Sequence, residues 1–275
     1  MKSTVICALV FPVVFSPFHV TLCAPAQEKQ HGGEEKTEAS ATREDRAIRF
    51  SGHDWWVKGS TKRVGPGSNY FSDQEENVWL DSQSRLHLRI TQRDGRWHCA
   101  EIVSQESFGF GTYRFFLATP ISKIDPNLTL GLFTWSDARD YAHREIDVEC
   151  AKWGKADDTN NAQFVVQPYQ PVGHLVRFRV PPELDATTHI FNWQSNRVFF
   201  RCLAGHAREP SAENAVIRER TFAKKGVPQP GDENARINLW LATKAPSDTN
   251  DTEVIIAKFE FEPLRELSSP GTSPK

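Results

Sequence analysis

The sequence predicts an all-β fold, an antiparallel β-sandwich of jelly-roll type. Apolar and polar residues alternate with a period of two in segment after segment between residues 47 and 263. Pro, Gly, Asn and Asp separate those segments and supply the turns. No stretch keeps an apolar period of 3.6 over three turns, which argues against long amphipathic helices. At 275 residues, 39% hydrophobic and 25% charged, the chain suits one large all-β domain or two ordinary ones.

Taken in order, the chain opens like an export signal. Lys2 is a short basic region, Val5 to Phe18 is mostly apolar, and Ala24-Pro25-Ala26 offers a cleavage site, so residues 1–26 read as a signal peptide. Pro12 and Pro17 interrupt the apolar run, which is shorter than the roughly 20 residues of a spanning helix. A lipid anchor on Cys23 is the competing reading, although Leu22 is larger than the residue that such processing favours. The protein is therefore expected to be secreted, periplasmic or at the cell surface, without stable membrane insertion after cleavage. Residues 27–46 are polar and rich in Glu and Lys, a linker expected to be disordered, and residues 264–275 read as a flexible tail.

Between these ends the strands announce themselves. Leu86, Leu88 and Ile90 alternate with His87, Arg89 and Thr91, and Asp94-Gly95 turns the chain before Trp97 to Val103. Tyr113, Phe115 and Leu117 alternate, as do Val198, Phe200 and Cys202. Near the end Ile255, Ala257, Phe259 and Phe261 oppose Lys258, Glu260 and Glu262. Cys99, Cys150 and Cys202 remain after the signal; they lack zinc-ligand spacing and read as buried thiols, with one disulfide among them as the alternative. A net charge of −2 and no basic stripe exclude a nucleic-acid partner.

The most informative run is Glu145-Ile146-Asp147-Val148-Glu149. In a strand the three acids share one face and Ile146, Val148 and Cys150 the other. The apolar face suits a sandwich interior. Like charges on one strand face repel, and Asp and Glu are poor strand formers, so the arrangement costs stability and points to function. A Ca²⁺ site is a weaker reading, because acids alternating along one strand splay apart and loop carbonyls usually complete a calcium cage. No metal or cofactor is expected to be required; a structural Ca²⁺ is not indicated. Nucleophile-elbow, P-loop, zinc-protease and dinucleotide motifs are absent from the sequence.

This run resembles the active-site strand of glycoside hydrolase family 16, which includes lichenases, laminarinases, agarases, carrageenases and xyloglucan endotransglycosylases. Weaker matches follow the family's order: Ser107-Phe108-Gly109-Phe110-Gly111-Thr112-Tyr113, Ala162-Gln163-Phe164, Phe191-Asn192-Trp193-Gln194 and Ile237-Asn238-Leu239-Trp240. The resemblance implies a lectin/glucanase (concanavalin A-like) jelly roll over residues 47–263, with a concave substrate cleft. It implies Glu145 as nucleophile, Glu149 as general acid and then base, and Asp147 as the carboxyl that tunes them. Retaining glycosidases hold the two carboxyls about 5–5.5 Å apart. Residues four apart on a flat strand are separated by roughly 13 Å, so curvature and converging side chains are required. The five-residue spacing is similar to the lichenase and xyloglucan branches more than to laminarinases, and His143 resembles the xyloglucan branch, where lichenases tend to have Trp. Arg144 replaces a common acid, and Arg114 and Val165 also depart from the family pattern.

Sugar clefts combine aromatic platforms with polar groups that read hydroxyls. Trp135, Trp193 and Trp240 are candidate platforms, each of which also suits a core position; Trp55, Trp56, Trp79, Trp97 and Trp153 read as packing or rim. Gln163 and Gln167 share a strand face as hydroxyl readers, with Tyr169 continuing it. The resemblance places Asn69, in the Gly65–Phe71 loop, at the cleft rim against substrate, and an ordinary surface loop fits as well. His143 suits either a bond near the nucleophile or a satisfied buried position. The expected function is a monomeric, secreted, retaining endo-glycosidase acting on a β-glucan-like polysaccharide. A transglycosylase on the same site, a sugar-binding sandwich without turnover, and a structural surface domain are the alternatives.

Overall fold

Period-two patterning becomes strands paired into two stacked sheets. The computed structural model describes residues 46–223 and 225–264. The signal peptide, residues 27–45 of the linker and residues 265–275 of the tail lie outside the described residues. Along the chain the strands are β1 (Ala47–Phe50), β2 (His53–Val57), β3 (Tyr70–Phe71), β4 (Val78–Leu80), β5 (Leu86–Arg93), β6 (Arg96–Ser104), β7 (Gly111–Leu117) and β8 (Leu128–Trp135). They continue with β9 (Ile146–Ala151), β10 (Ala162–Val166), β11 (Leu175–Phe178), β12 (Thr187–Gln194), β13 (Arg197–Ala204), β14 (Val216–Phe222), β15 (Asn234–Leu241) and β16 (Thr252–Pro263).

One sheet runs β11-β10-β9-β8-β15-β6 and the other β5-β16-β7-β12-β13-β14, joined through the β5–β6 hairpin. Its turn uses Asp94 and Gly95, both at positive φ, as a tight hairpin requires. Strands β2 and β1 extend the first sheet beyond β6, and β4 lies along β5. The two-residue β3 pairs parallel with β6; the other named pairings are antiparallel. This is the predicted jelly roll.

The inward faces are those that alternation marks. Leu86, Leu88, Ile90, Tyr113, Phe115, Leu117, Ile146, Val148 and Cys150 are fully buried. Contacts across the interior tie the sheets together: Phe164 stacks on Phe200 at 5.0 Å, and Trp55 meets Phe259 edge-on at 5.2 Å. Burying a large apolar side chain contributes roughly 1.5–3 kcal/mol, so this layer is the main favourable term. The cysteines are free, buried thiols, and burial pushes Cys99 up to about 12.

Two expectations need correction. On β16 the pairing with β7 shifts between Ile256 and Lys258, a bulge that changes which parity faces the core. Val254 and Ile256 point inward before it and Phe259 after it, so Ile255 is not on the core face with Phe259. Trp193 is a core residue rather than a platform. It is 0% exposed on β12 of the opposite sheet, its Nε1 donates to Pro228 O at 2.9 Å, and Phe110 packs edge-on against it at 5.3 Å. Trp193→Ala should therefore lower unfolding free energy by about 3–5 kcal/mol in urea titration. A loss below about 1 kcal/mol would contradict the core assignment.

Candidate active site

Register across the first sheet assembles the site. Opposed residues on neighbouring antiparallel strands share a face, so pairing creates rows of side chains. One row reads Val165, Asp147, Phe133, Arg236 across β10, β9, β8 and β15. The next reads Arg177, Gln163, Glu149, Gly131, Asn238, Glu101, from β11 to β6. Residues distant in sequence thereby surround the acidic strand.

These rows floor an open cleft of about 830 Å³. Glu145, Asp147, Glu149, Trp135, Gln163, Gln167 and Trp240 all line it, as does Tyr169. Gln163 Nε2 donates to Glu149 Oε2 at 2.6 Å, and Gln167 Nε2 to Asp147 Oδ2 at 3.2 Å. Glu145 and Asp147 share a side-chain hydrogen bond. The two glutamines thus orient carboxyls in the cleft, a role that hydroxyl reading did not anticipate.

All three carboxyls are held above the ordinary range. Burial, then the charge of Glu149, pushes Glu145 up to about 8, opposed by its bond with Asp147 and by Arg236. Burial also pushes Glu149 up to about 7, against Gln163 and Arg177. Asp147, 3% exposed between them, is raised by burial and by both glutamates. Near neutrality the triplet shares protons, supplying both an acid and a base within one strand.

Glu101 is 0% exposed and is held by three partners. Lys58 Nζ lies 3.0 Å away, Arg236 Nη1 3.3 Å and Asn238 Nδ2 3.2 Å. A buried charge needs such neutralisation and hydrogen bonding. In the same row as Glu149, Gly131 lets the Asn238 amide approach the backbone: its N–H donates to Asn238 Oδ1 at 3.2 Å, and a Cβ there would sit 2.5 Å from that oxygen.

The remaining predicted residues divide. Trp135 stacks on His143 at 4.1 Å and 8°, and His143 Nδ1 donates to Ser136 O at 2.9 Å. His143 thus backs the platform and is not among the cleft-lining residues. Asn69 is 7% exposed and also outside that lining, with its amide donating to Pro66 O and Leu241 O. It fixes the loop over β15 rather than presenting its amide to the cleft. Trp240 is 9% exposed because Gly67 lies against its ring edge. Trp153, predicted as packing or rim, lines the cleft and donates to Gln163 Oε1 at 3.1 Å. Lys58, Glu101, Arg177 and Arg236 were missed; their proximity arises from strand register, which alternation within one strand does not encode.

Immediately before Glu145 the backbone is strained. Tyr141, Ala142, His143 and Arg144 have φ of 52°, 52°, 65° and 53°, a left-handed turn made without glycine. Such conformations cost about 1–2 kcal/mol per residue and persist only when surrounding contacts impose them. Ser136 N donates to His143 O at 2.7 Å. The Thr134 hydroxyl donates to Arg144 O at 2.8 Å and accepts from Ile146 N at 3.2 Å, bracketing Glu145.

The raised carboxyls set the sign of a stability test. Below pH 4.5 they are protonated in folded and unfolded chains alike. As pH rises from about 4.5 to about 8 the unfolded chain ionises first, and stability is lost. Glu145→Gln and Glu149→Gln should each stabilise the chain by about 1–3 kcal/mol at pH 8 and little at pH 4. Tm measured across that range checks this; a pH-independent difference would contradict it.

Comparison with known proteins agrees with the architecture. No protein-family model and no curated protein matches the sequence. Among solved structures, the chain is similar to a Bacillus licheniformis β-glucanase at 18% identity and TM-score 0.56, covering 82% of this chain and 100% of that one. A lichenase from a mouse hindgut metagenome aligns at 20% identity and TM-score 0.54, over 76% and 93% of the two chains. A Mycobacterium tuberculosis protein described as an immunostimulatory antigen and pseudo β-1,3-glucanase aligns at 14% identity and TM-score 0.56, over 77% and 91%. The chain has the jelly-roll fold of the β-glucanases.

Proposed function

We propose that this chain is a secreted, retaining endo-glycosidase of the glycoside hydrolase family 16 type, cutting a β-glucan-like polysaccharide by double displacement. The observation that carries the reading is the proton-sharing triplet Glu145, Asp147 and Glu149 inside an aromatic-lined open cleft. Residues 1–26 would direct export. The reaction needs no cofactor.

In the first step Glu149 donates its proton to the glycosidic oxygen while the Glu145 carboxylate attacks the anomeric carbon. The leaving sugar departs as an alcohol and a glycosyl ester forms on Glu145. Glu149, now a carboxylate, takes a proton from water, which attacks the anomeric carbon and releases Glu145. Burial raises both glutamates, whereas the nucleophile must carry the charge. Proton occupancy belongs to the coupled triplet, so the roles rest on the resemblance; Arg236 and a proton shared with Asp147 favour charge on Glu145. Transfer to a sugar hydroxyl instead of water would use the same intermediate. A binder without turnover is the second reading, favoured by the fold it shares with the M. tuberculosis protein described as a pseudo-glucanase.

The test uses β-glucans, xyloglucan and galactans with the intact chain, Glu145→Gln and Glu149→Gln. Both variants should lose roughly 10²–10⁴-fold in turnover. An aryl glycoside with a good leaving group should partly rescue Glu149→Gln but not Glu145→Gln, and the reverse would exchange the roles. Binding without turnover by the intact chain would favour the second reading.

A further inference from the structure

The left-handed turn before Glu145 is gripped from another part of the fold. Arg144 Nε donates to Gln229 O at 3.0 Å. The rest of its guanidinium lies between Asp140, at 3.7 Å from Nη2, and Asp232, at 3.8 Å from Nη1. Its side chain is only 11% exposed, and the Tyr141 ring lies 5.7 Å from its Cζ. The guanidinium lies so close over Gly231 that a Cβ there would sit 2.5 Å from Nε and 2.7 Å from Cζ. On the other side of the contact, the Ser136 hydroxyl donates to Asp232, and Gly231 N donates to Glu233 Oε2 at 2.7 Å. Loop 229–233 is thus shaped to receive this side chain.

Consequences run directly to the cleft. Four non-glycine residues at positive φ do not hold that conformation unaided. Their last member is bonded through its carbonyl to Thr134, whose hydroxyl also holds Ile146 N; Glu145 hangs between these two points. The third member, His143, backs Trp135. A shift of the turn therefore moves a reacting carboxyl and an aromatic platform together.

We propose that Arg144 is a positioning residue, which clamps the strained Tyr141–Arg144 turn to loop 229–233 and so fixes Glu145 and the Trp135–His143 stack against the bound glycan. The proposal rests on the glycosidase reading for the reaction it serves. Nε makes the one hydrogen bond of the clamp, to Gln229 O, while the two Nη groups lie 3.7 and 3.8 Å from separate carboxylates without bonding them; lysine, with a single nitrogen, cannot reach all three places at once.

The test compares Arg144→Lys, Arg144→Met, Gly231→Ala and the double variant Arg144→Met/Gly231→Ala. Gly231→Ala is informative because it displaces the guanidinium without altering Arg144 or the acidic strand. Turnover by the intact chain is measured first and decides the glycosidase reading by itself. Amide hydrogen exchange over residues 140–146 decides the clamp with or without turnover. Exchange there should quicken in all variants, and unchanged exchange would overturn the clamp. In an active enzyme kcat should fall roughly 10- to 100-fold, with Arg144→Lys failing to rescue it. The double variant should be no worse than Arg144→Met, since both changes break one contact. Faster exchange with wild-type kcat, or losses that add, would overturn the positioning role.

Discussion

Strand β9 packs one face into the core and floors the open cleft with the other, and the crowding there of Asp147 and Glu149 with Glu145, the residue just before the strand, is the constraint around which the rest is arranged. Its inner face, Ile146, Val148 and Cys150, lies in the core and cannot turn. The strand therefore holds Glu145, Asp147 and Glu149 facing the cleft. Desolvation raises all three, and repulsion from neighbouring carboxylates adds to it at Glu145 and Asp147, so the cleft retains protons near neutrality. The same unfavourable electrostatics that reduce stability provide a proton donor and a proton acceptor side by side.

Neighbouring strands compensate in proportion. Gln163 and Gln167 orient two of the carboxyls, while Arg236 and Arg177 add positive charge on opposite flanks. Both arginines are themselves tied to acids, Arg236 to buried Glu101 and Arg177 to Asp158. Their charge is thus partly spent within the protein, and the cleft presents aromatic surfaces and hydrogen-bonding groups beside the acids. Gly131 admits the Asn238 amide close against the strand next to Glu149.

Much of this was legible in the sequence, for a definite reason. The acidic triplet and its apolar partners follow a period of two, which fixes the two faces of β9 without knowledge of its neighbours. Trp193 was ambiguous because an aromatic residue satisfies a core or a cleft equally, and only the position of β12 in the opposite sheet decides between them. Glu101 and Arg236 were invisible because they reach the cleft through pairing with β6 and β15, far away in sequence. The left-handed turn left no trace either, since Tyr141-Ala142-His143-Arg144 lacks the glycine that usually marks positive φ. The bulge on β16 was hidden likewise, for Ala257 interrupts no pattern until β7 is beside it.

The function proposed for Glu145, Asp147 and Glu149 is that of a nucleophile and an acid in one proton-sharing unit. Trapping the covalent intermediate tests it most directly. The chain is incubated with a 2-deoxy-2-fluoro β-glycoside bearing a good leaving group, then digested and sequenced by mass spectrometry. The account expects one glycosyl adduct, on Glu145, which disappears in Glu145→Gln. A chain that turns over glycan yet carries no adduct, or carries it on another residue, would contradict it.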